Sequence, residues 1–232
     1  MLVLALAAPV LWRQPLLLAM LQGGIAALVA GMTGARAWWI PIHLGFLPLA
    51  LGAHSLHLPP ALWAGGLGVL LLVFWRIDRA RVPLYLSSRE TAAALAALLP
   101  AGPCRVLDLG CGDGGLLRRL ARLRPDCRFV GIEHAPLPWA LARISARGLP
   151  NLEICHGDFW RARLGDFDLV YAFLSPAPMA RLWQKACEEM AGTGRLVSNS
   201  FPVPGVPEEG RIAVSDRSMT YLYVYRPPRG AN

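Results

Sequence analysis

The sequence predicts an α/β protein, with a parallel, doubly wound sheet over residues 89–232 behind an all-α, apolar first third. Three observations carry this. Strand-like and helix-like patterns alternate from residue 104 onward, the signature of βαβ units. A short apolar run at 106–109 turns through Gly110, Gly112, Gly114 and Gly115 into a helical pattern at Leu116, Leu117, Leu120 and Leu123. Of the 23 cations, only Arg13 and Arg36 fall within residues 1–75, and none of the 15 acids does.

The chain has 232 residues, of which 55% are hydrophobic and 16% charged. That is more apolar than a typical soluble domain. Stretches 16–33, 38–56 and 59–75 carry no charge, and each approaches the roughly 20 residues that span a bilayer. The stretch 1–12, interrupted by Pro9, lacks the basic start and cleavage site of a signal peptide. Trp38, Trp39 and Trp75 sit at stretch ends, where aromatic belts occur. The reading is three transmembrane helices, the second made kinked or re-entrant by Pro41 and Pro48. Arg76, Arg79 and Arg81 follow at once, and positive residues beside a span mark the cytoplasmic side. The division is 1–75 transmembrane, 76–88 a basic juxtamembrane linker and 89–232 the α/β domain. His43, His54 and His57 read as interfacial or packed histidines, with no metal site.

Ser87 and Glu90 form a capping box opening a helix over 88–99, which Pro100 and Gly102 end. Strands follow at 104–109, 128–133, 152–155, 168–173 and 195–200, with helices at 113–124, 137–147 and 178–190. Residues 211–216 and 220–226 read as two antiparallel strands. The Pro/Gly-rich stretch 202–210 is a loop. The net charge of +8 suits a face beside anionic lipid. No basic run with interleaved aromatics appears, so no nucleic-acid partner is expected. Cys104, Cys111, Cys127, Cys155 and Cys187 form no C-x-x-C pair and read as reduced thiols of a cytosolic compartment.

Gly110, Gly112 and Gly115 satisfy the dinucleotide spacing G-x-G-x-x-G, but the charges argue against a pyrophosphate. Asp108 ends the strand and Asp113 lies in the turn. S-adenosylmethionine (SAM) carries an ammonium and a sulfonium and no phosphate, so acids suit it. Glu133 ends the second strand, 25 residues after Asp108, where a carboxylate can accept ribose hydroxyls.

Asp108-x-Gly110-x-Gly112-x-Gly114 resembles motif I of the class I SAM-dependent methyltransferases. The resemblance implies a Rossmann-like seven-stranded sheet closed by a hairpin, preceded here by the all-α transmembrane region. Asp108, Gly110 and Gly112 would hold the methionine half of SAM. Asp158 would accept from the adenine amino group, and Phe159 would stack on the ring or stand, with Trp160, as a core or interface aromatic. Leu174-Ser175-Pro176 stands at the carboxyl end of the fourth strand, where Ser175 and Pro176 would position the methyl acceptor. Phe173, Leu174, Pro176 and Trp160 could wall its pocket. The Asn/Asp-Pro-Pro-aromatic motif of several amino-methylating enzymes is missing.

The order of apolar spans, basic exit, Val82-Pro83, motif I, Gly157-Asp158-Phe159-Trp160 and a Pro-containing loop resembles the ATP synthase c-subunit lysine N-methyltransferase family and its bacterial membrane-anchored relatives, over residues 70–226. The resemblance implies N-methylation of a lysine on a membrane-associated protein, at the bacterial inner membrane with the catalytic domain cytoplasmic. The alternatives are an O-methyltransferase of a lipid or quinone-like molecule and a non-catalytic SAM-binding module.

Overall fold

A computed structural model describes residues 14–34, 37, 39–73, 87–190, 192, 194–215 and 220–228. The chain divides into two units, Met1–Leu67 and Gly68–Asn232, each taken by itself below. Segment 1–12, Arg36, Trp38, Trp75, Arg76 to Arg81 and 82–86 lie outside the described residues.

The apolar stretches fold into helices α1 (Pro15–Met32), α2 (Trp39–Ser55) and α3 (Pro60–Val73). Ala19, Gly23, Ala27 and Ala30 are the buried residues of α1. Their spacing puts them on one face, and that face meets α2. A β-carbon on Gly23 would lie 2.7 Å from the His43 carbonyl oxygen. The large apolar residues point the other way, with Ile25 63% and Leu28 64% exposed. Helix α2 continues through both Pro41 and Pro48, where the sequence predicts a kink. His43 stacks on Trp39, with ring centroids 5.6 Å apart. Among the described residues, α1 alone is long and apolar enough to cross a membrane.

The second unit opens with α4 (Arg89–Leu98) and then alternates: β1 (Arg105–Leu109), α5 (Gly115–Leu123), β2 (Arg128–Glu133), α6 (Pro136–Ser145), β3 (Leu152–His156), β4 (Leu169–Ala172), α7 (Met179–Glu189) and β5 (Arg195–Asn199). The hairpin β6 (Gly210–Val214) and β7 (Thr220–Tyr225) closes it. The seven strands run in the order β3-β2-β1-β4-β5-β7-β6. The first five are parallel, and β7 is antiparallel to β5 and β6. Apolar side chains leave both faces of the central strands, as a sheet covered on both sides requires. Val106, Tyr171 and Val197 pack on one side with α4 and α5. Leu107, Val170 and Leu196 pack on the other with α7.

Three local expectations shift. The α4 cap is Ser88, whose side chain accepts from the Thr91 amide, and Ser87 instead reaches the Tyr171 hydroxyl at 2.8 Å. Cys104 and Cys127 are paired as a disulfide rather than standing as thiols. The register Arg105↔Arg128 sets the two preceding residues side by side, which their separation of 23 in sequence conceals. The 202–210 loop is partly core, because Val203 is buried and its amide donates to the Tyr225 hydroxyl at 2.9 Å.

Gly131, the register partner of Asp108, makes room for the turn after β1. A β-carbon there would lie 2.6 Å from Leu117 Cδ1 and 2.7 Å from Cys111 Sγ. Gly131→Val should therefore cost about 1–3 kcal/mol of overpacking, read as a lower urea midpoint. An unchanged midpoint would show that α5 and the turn give way freely.

Candidate functional site

The site forms at the carboxyl edge of β1, β2, β3 and β4, the edge where open α/β sheets bind ligands. The turn after β1 is built from backbone conformations that favour glycine. Gly110, Gly112 and Gly114 all have positive φ, at 79°, 57° and 70°. The Gly110 and Cys111 amides donate to the Ile132 carbonyl at 2.9 and 3.0 Å, which ties the turn to the end of β2. Asp113 Oδ1 accepts from the amide of Gly115, the first residue of α5, at 3.0 Å, and the N-cap position itself is Gly114. Arg118 pairs with the same Asp113 side chain at 3.5 Å.

Two carboxylates flank this turn, in opposite circumstances. Glu133 Oε2 accepts from the Gly112 amide at 2.9 Å. Its Oε1 accepts from the His134 and Ala135 amides at 2.7 and 2.8 Å. Three of a carboxylate's roughly four acceptor positions are thus filled, and Oε2 keeps capacity for a hydroxyl. Asp108 is buried and accepts no hydrogen bond among the described residues. Burial, and after it the Glu133 charge, push its carboxyl from an ordinary 3.8 up to about 8. A buried carboxyl without a donor, beside a glycine turn, suits a cationic ligand group.

The structure brings Asp108, Gly110, Gly112 and Glu133 together. It sets Asp158 and Phe159 next to them, since His156 is the register partner of Glu133 and the Gly157 amide donates to the Glu133 carbonyl at 3.0 Å. Asp158 is exposed and accepts from the Trp160 amide at 3.0 Å. Phe159 is half-buried with its ring 5.0 Å from that of Trp160. Ser175, three residues beyond β4, is buried, and its Oγ has no hydrogen-bond partner among the described residues. Pro176 beside it is exposed.

The four residues read as pocket walls do not form one wall. Leu174 and Trp160 pack in the α7 layer, and Arg181 covers the Trp160 ring at 4.1 Å. Phe173 packs on the Asp108 side. Sequence reading passed over His134, Trp139 and His156, whose rings gather at the ends of β2 and β3. It also passed over the Tyr171–Asn199 hydrogen bond of 2.8 Å. The signal was present in both cases, as His134, His156 and Asn199 at the ends of otherwise apolar strands.

This sheet order with an acid-flanked glycine turn defines the class of SAM-dependent methyltransferases. The ANTKMT methyltransferase domain matches residues 108–210, from Asp108 to the start of β6. The chain is 32% identical over 157 residues to the adenine nucleotide translocase lysine N-methyltransferase of Mus musculus, covering 61% of this chain and 67% of that protein. It is 31% identical over 125 residues to a protein-lysine N-methyltransferase of Saccharolobus islandicus, covering 51% and 78%. It is 35% identical over 98 residues (40% of this chain) to the release factor glutamine methyltransferase of Escherichia coli (strain K12), but spans only 35% of that protein. An RNA methyltransferase from Salinibacter ruber, solved with S-adenosyl-L-homocysteine, shares the fold. Its TM-score is 0.57 at 24% identity, over 64% of this chain and 97% of that one. The chain belongs to the ANTKMT methyltransferase family, whose cofactor is SAM. The mouse and Saccharolobus relatives are lysine N-methyltransferases by name.

The Asp108 carboxyl makes a prediction about stability. The folded protein binds this proton more tightly than the unfolded chain does. Its stabilising effect is full below about 3.8 and is lost as the pH rises through about 8. Asp108→Asn cannot ionise and should raise the Tm of the ligand-free protein by several degrees at pH 8.5, and much less at pH 5. Equal shifts at the two pH values would contradict the assignment.

Proposed function

We propose that the protein is a membrane-anchored SAM-dependent methyltransferase that N-methylates a lysine of a membrane-associated protein. The observation that carries the acceptor reading is the buried Ser175 Oγ without a partner at the carboxyl end of β4. Such a group costs about 1–3 kcal/mol when left unpaired, and a substrate N–H would relieve that cost. Pro176 supplies no backbone N–H to compete for it. The lysine-specific names of the mouse and Saccharolobus relatives support the same acceptor.

When bound, SAM supplies an electrophilic methyl on its sulfonium. The residues of this chain do the rest. Asp108 takes the methionine ammonium, with the Gly110 and Gly112 backbone alongside. Glu133 takes the ribose, and Asp158 and Phe159 take the adenine. A free lysine has a pKa near 10.4, and methyl transfer needs its neutral lone pair. Half-buried Phe173 offers an apolar wall that disfavours the ammonium form, while Ser175 Oγ accepts an amine N–H and aims the lone pair. Alignment then supplies much of the rate.

The anchor reading rests on the first unit, read as 1–75, with 76–88 as linker and 89–232 as the catalytic domain. Small residues line the α1–α2 contact and large apolar residues face outward. That arrangement suits lipid as the surrounding medium. A bacterial inner membrane with residues 76–232 on the cytoplasmic side would give the enzyme SAM.

Two outcomes are expected. SAM binding should tighten from pH 6 to 8 and release a proton, because the ammonium recruits the ionised form of Asp108. Titration calorimetry in buffers of different ionisation enthalpy reads this, and pH-independent binding would contradict it. Ser175→Ala should leave Tm unchanged or slightly higher, since it removes an unpaired buried hydroxyl, yet lower methyl transfer about tenfold or more. Radiolabel transfer into membranes of a deletion strain, followed by mass spectrometry, should find a methyl-lysine that depends on Ser175. An O-methyl lipid or quinone as the sole product would overturn the acceptor reading.

A further inference from the structure

A chain of hydrogen bonds lies on the sheet face that carries Asp108, and none of it has a role above. Asp108 and Tyr171 are register partners on β1 and β4, so their side chains leave the sheet on one side. Val197 is the partner of Tyr171 on β5, and Asn199, two residues on, shares that side. Asn199 Nδ2 donates to the Tyr171 hydroxyl at 2.8 Å. Ser200 Oγ bonds to Asn199 Oδ1 at 2.9 Å, which fixes the end of the amide that donates. The Tyr171 hydroxyl also bonds Ser87 Oγ, 2.8 Å away, with either oxygen able to donate. With Tyr171 as the donor of that bond, Ser87 has its own proton to give to an acceptor elsewhere. The Tyr171 hydroxyl is pushed up, by burial first and by the Asp108 charge second, so it remains a neutral donor.

A cation stands at the same end of the chain. Arg119 of α5 donates through Nη1 to the Ser87 carbonyl at 3.2 Å. Arg119 forms no ion pair with an acid among the described residues, while its neighbour Arg118 is held by Asp113. A guanidinium has five N–H donors, and most of these stay available. The methionine half of SAM bears an ammonium and a carboxylate on one carbon. Asp108 answers the first. The turn side of the site is anionic, with Glu133 bound to the Gly112 amide, so the carboxylate needs donors on the other side of Asp108. There Ser87 offers a directed hydroxyl and Arg119 a charge.

We propose that Ser87 and Arg119 form the subsite for the α-carboxylate of SAM, with Tyr171 and Asn199 as positioning residues behind Ser87. This rests on the assignment of the methionine ammonium to Asp108. It gives the segment before α4 a part in cofactor binding that motif I does not contain.

The test compares SAM with decarboxylated SAM, which keeps the amine, sulfonium, ribose and adenine. Titration calorimetry on the full chain in detergent should give the wild type about a tenfold or greater preference for SAM. Arg119→Gln should weaken SAM about tenfold and Ser87→Ala about threefold to fivefold. Binding of decarboxylated SAM should hold steady, which also shows that the variants fold. The preference should fall close to one in the double variant. Equal losses for both ligands would mark a structural role for the pair and overturn the subsite, as would a preference unchanged in the double variant. A wild type that binds both ligands equally overturns the subsite alone. A wild type that binds neither overturns the cofactor assignment together with it.

Discussion

The constraint on which the site depends is a buried carboxyl that accepts no hydrogen bond among the described residues. Asp108 lies one strand from Glu133, and both are acidic, yet only Glu133 is supplied with amides. Glu133 fastens the glycine turn to β2 and keeps one acceptor direction open. Asp108 is held neutral near pH 7 by burial and by the Glu133 charge. The folded protein therefore carries a deficit at this point that a cation can make good. A phosphate would deepen it. The selection of a sulfonium cofactor over a dinucleotide is thus written in charge rather than in the glycine spacing, which fits both.

The rest of the second unit serves that edge. Gly131 clears the volume that the turn and α5 occupy, and the parallel register brings the ends of four strands to one line. The acceptor side follows the same logic on a smaller scale. Ser175 Oγ is a buried group without a hydrogen-bond partner among the described residues, as are His134 Nδ1 and Trp139 Nε1, and it stands beyond β4, next to the strand that carries Asp108. Asp108 and Ser175 at this edge, one acidic and one hydroxyl, match a cation-bearing cofactor and an N–H-bearing acceptor. Each would be a defect in a protein without ligands.

Much of this was legible in the sequence because the strands are short apolar runs bounded by Gly, Pro and charge. Strand β2 falls where its pattern predicts, and β1 and β4 differ by a residue at their ends. Asp108, Gly110, Gly112 and Glu133 lie at strand ends and in a turn, so local pattern alone places them together. Side-chain meetings across the sheet were not legible. The Cys104–Cys127 pair and the Ser87–Tyr171–Asn199 bonds depend on register between strands far apart in the chain. The division of Phe173 from Leu174 into opposite layers follows from the alternation of a strand, and this could have been read. The choice between Ser87 and Ser88 as helix cap turned on one residue, and the Tyr171 hydroxyl drew Ser87 away.

The claim that the acid-flanked turn selects a nucleoside bearing an amino-acid ammonium over a dinucleotide is tested most directly by titrating the full chain with S-adenosylhomocysteine and, separately, with NAD+. Saturable one-to-one binding of S-adenosylhomocysteine, and no measurable binding of NAD+ over the same concentrations, is the predicted result. Binding of NAD+ without binding of S-adenosylhomocysteine would contradict it.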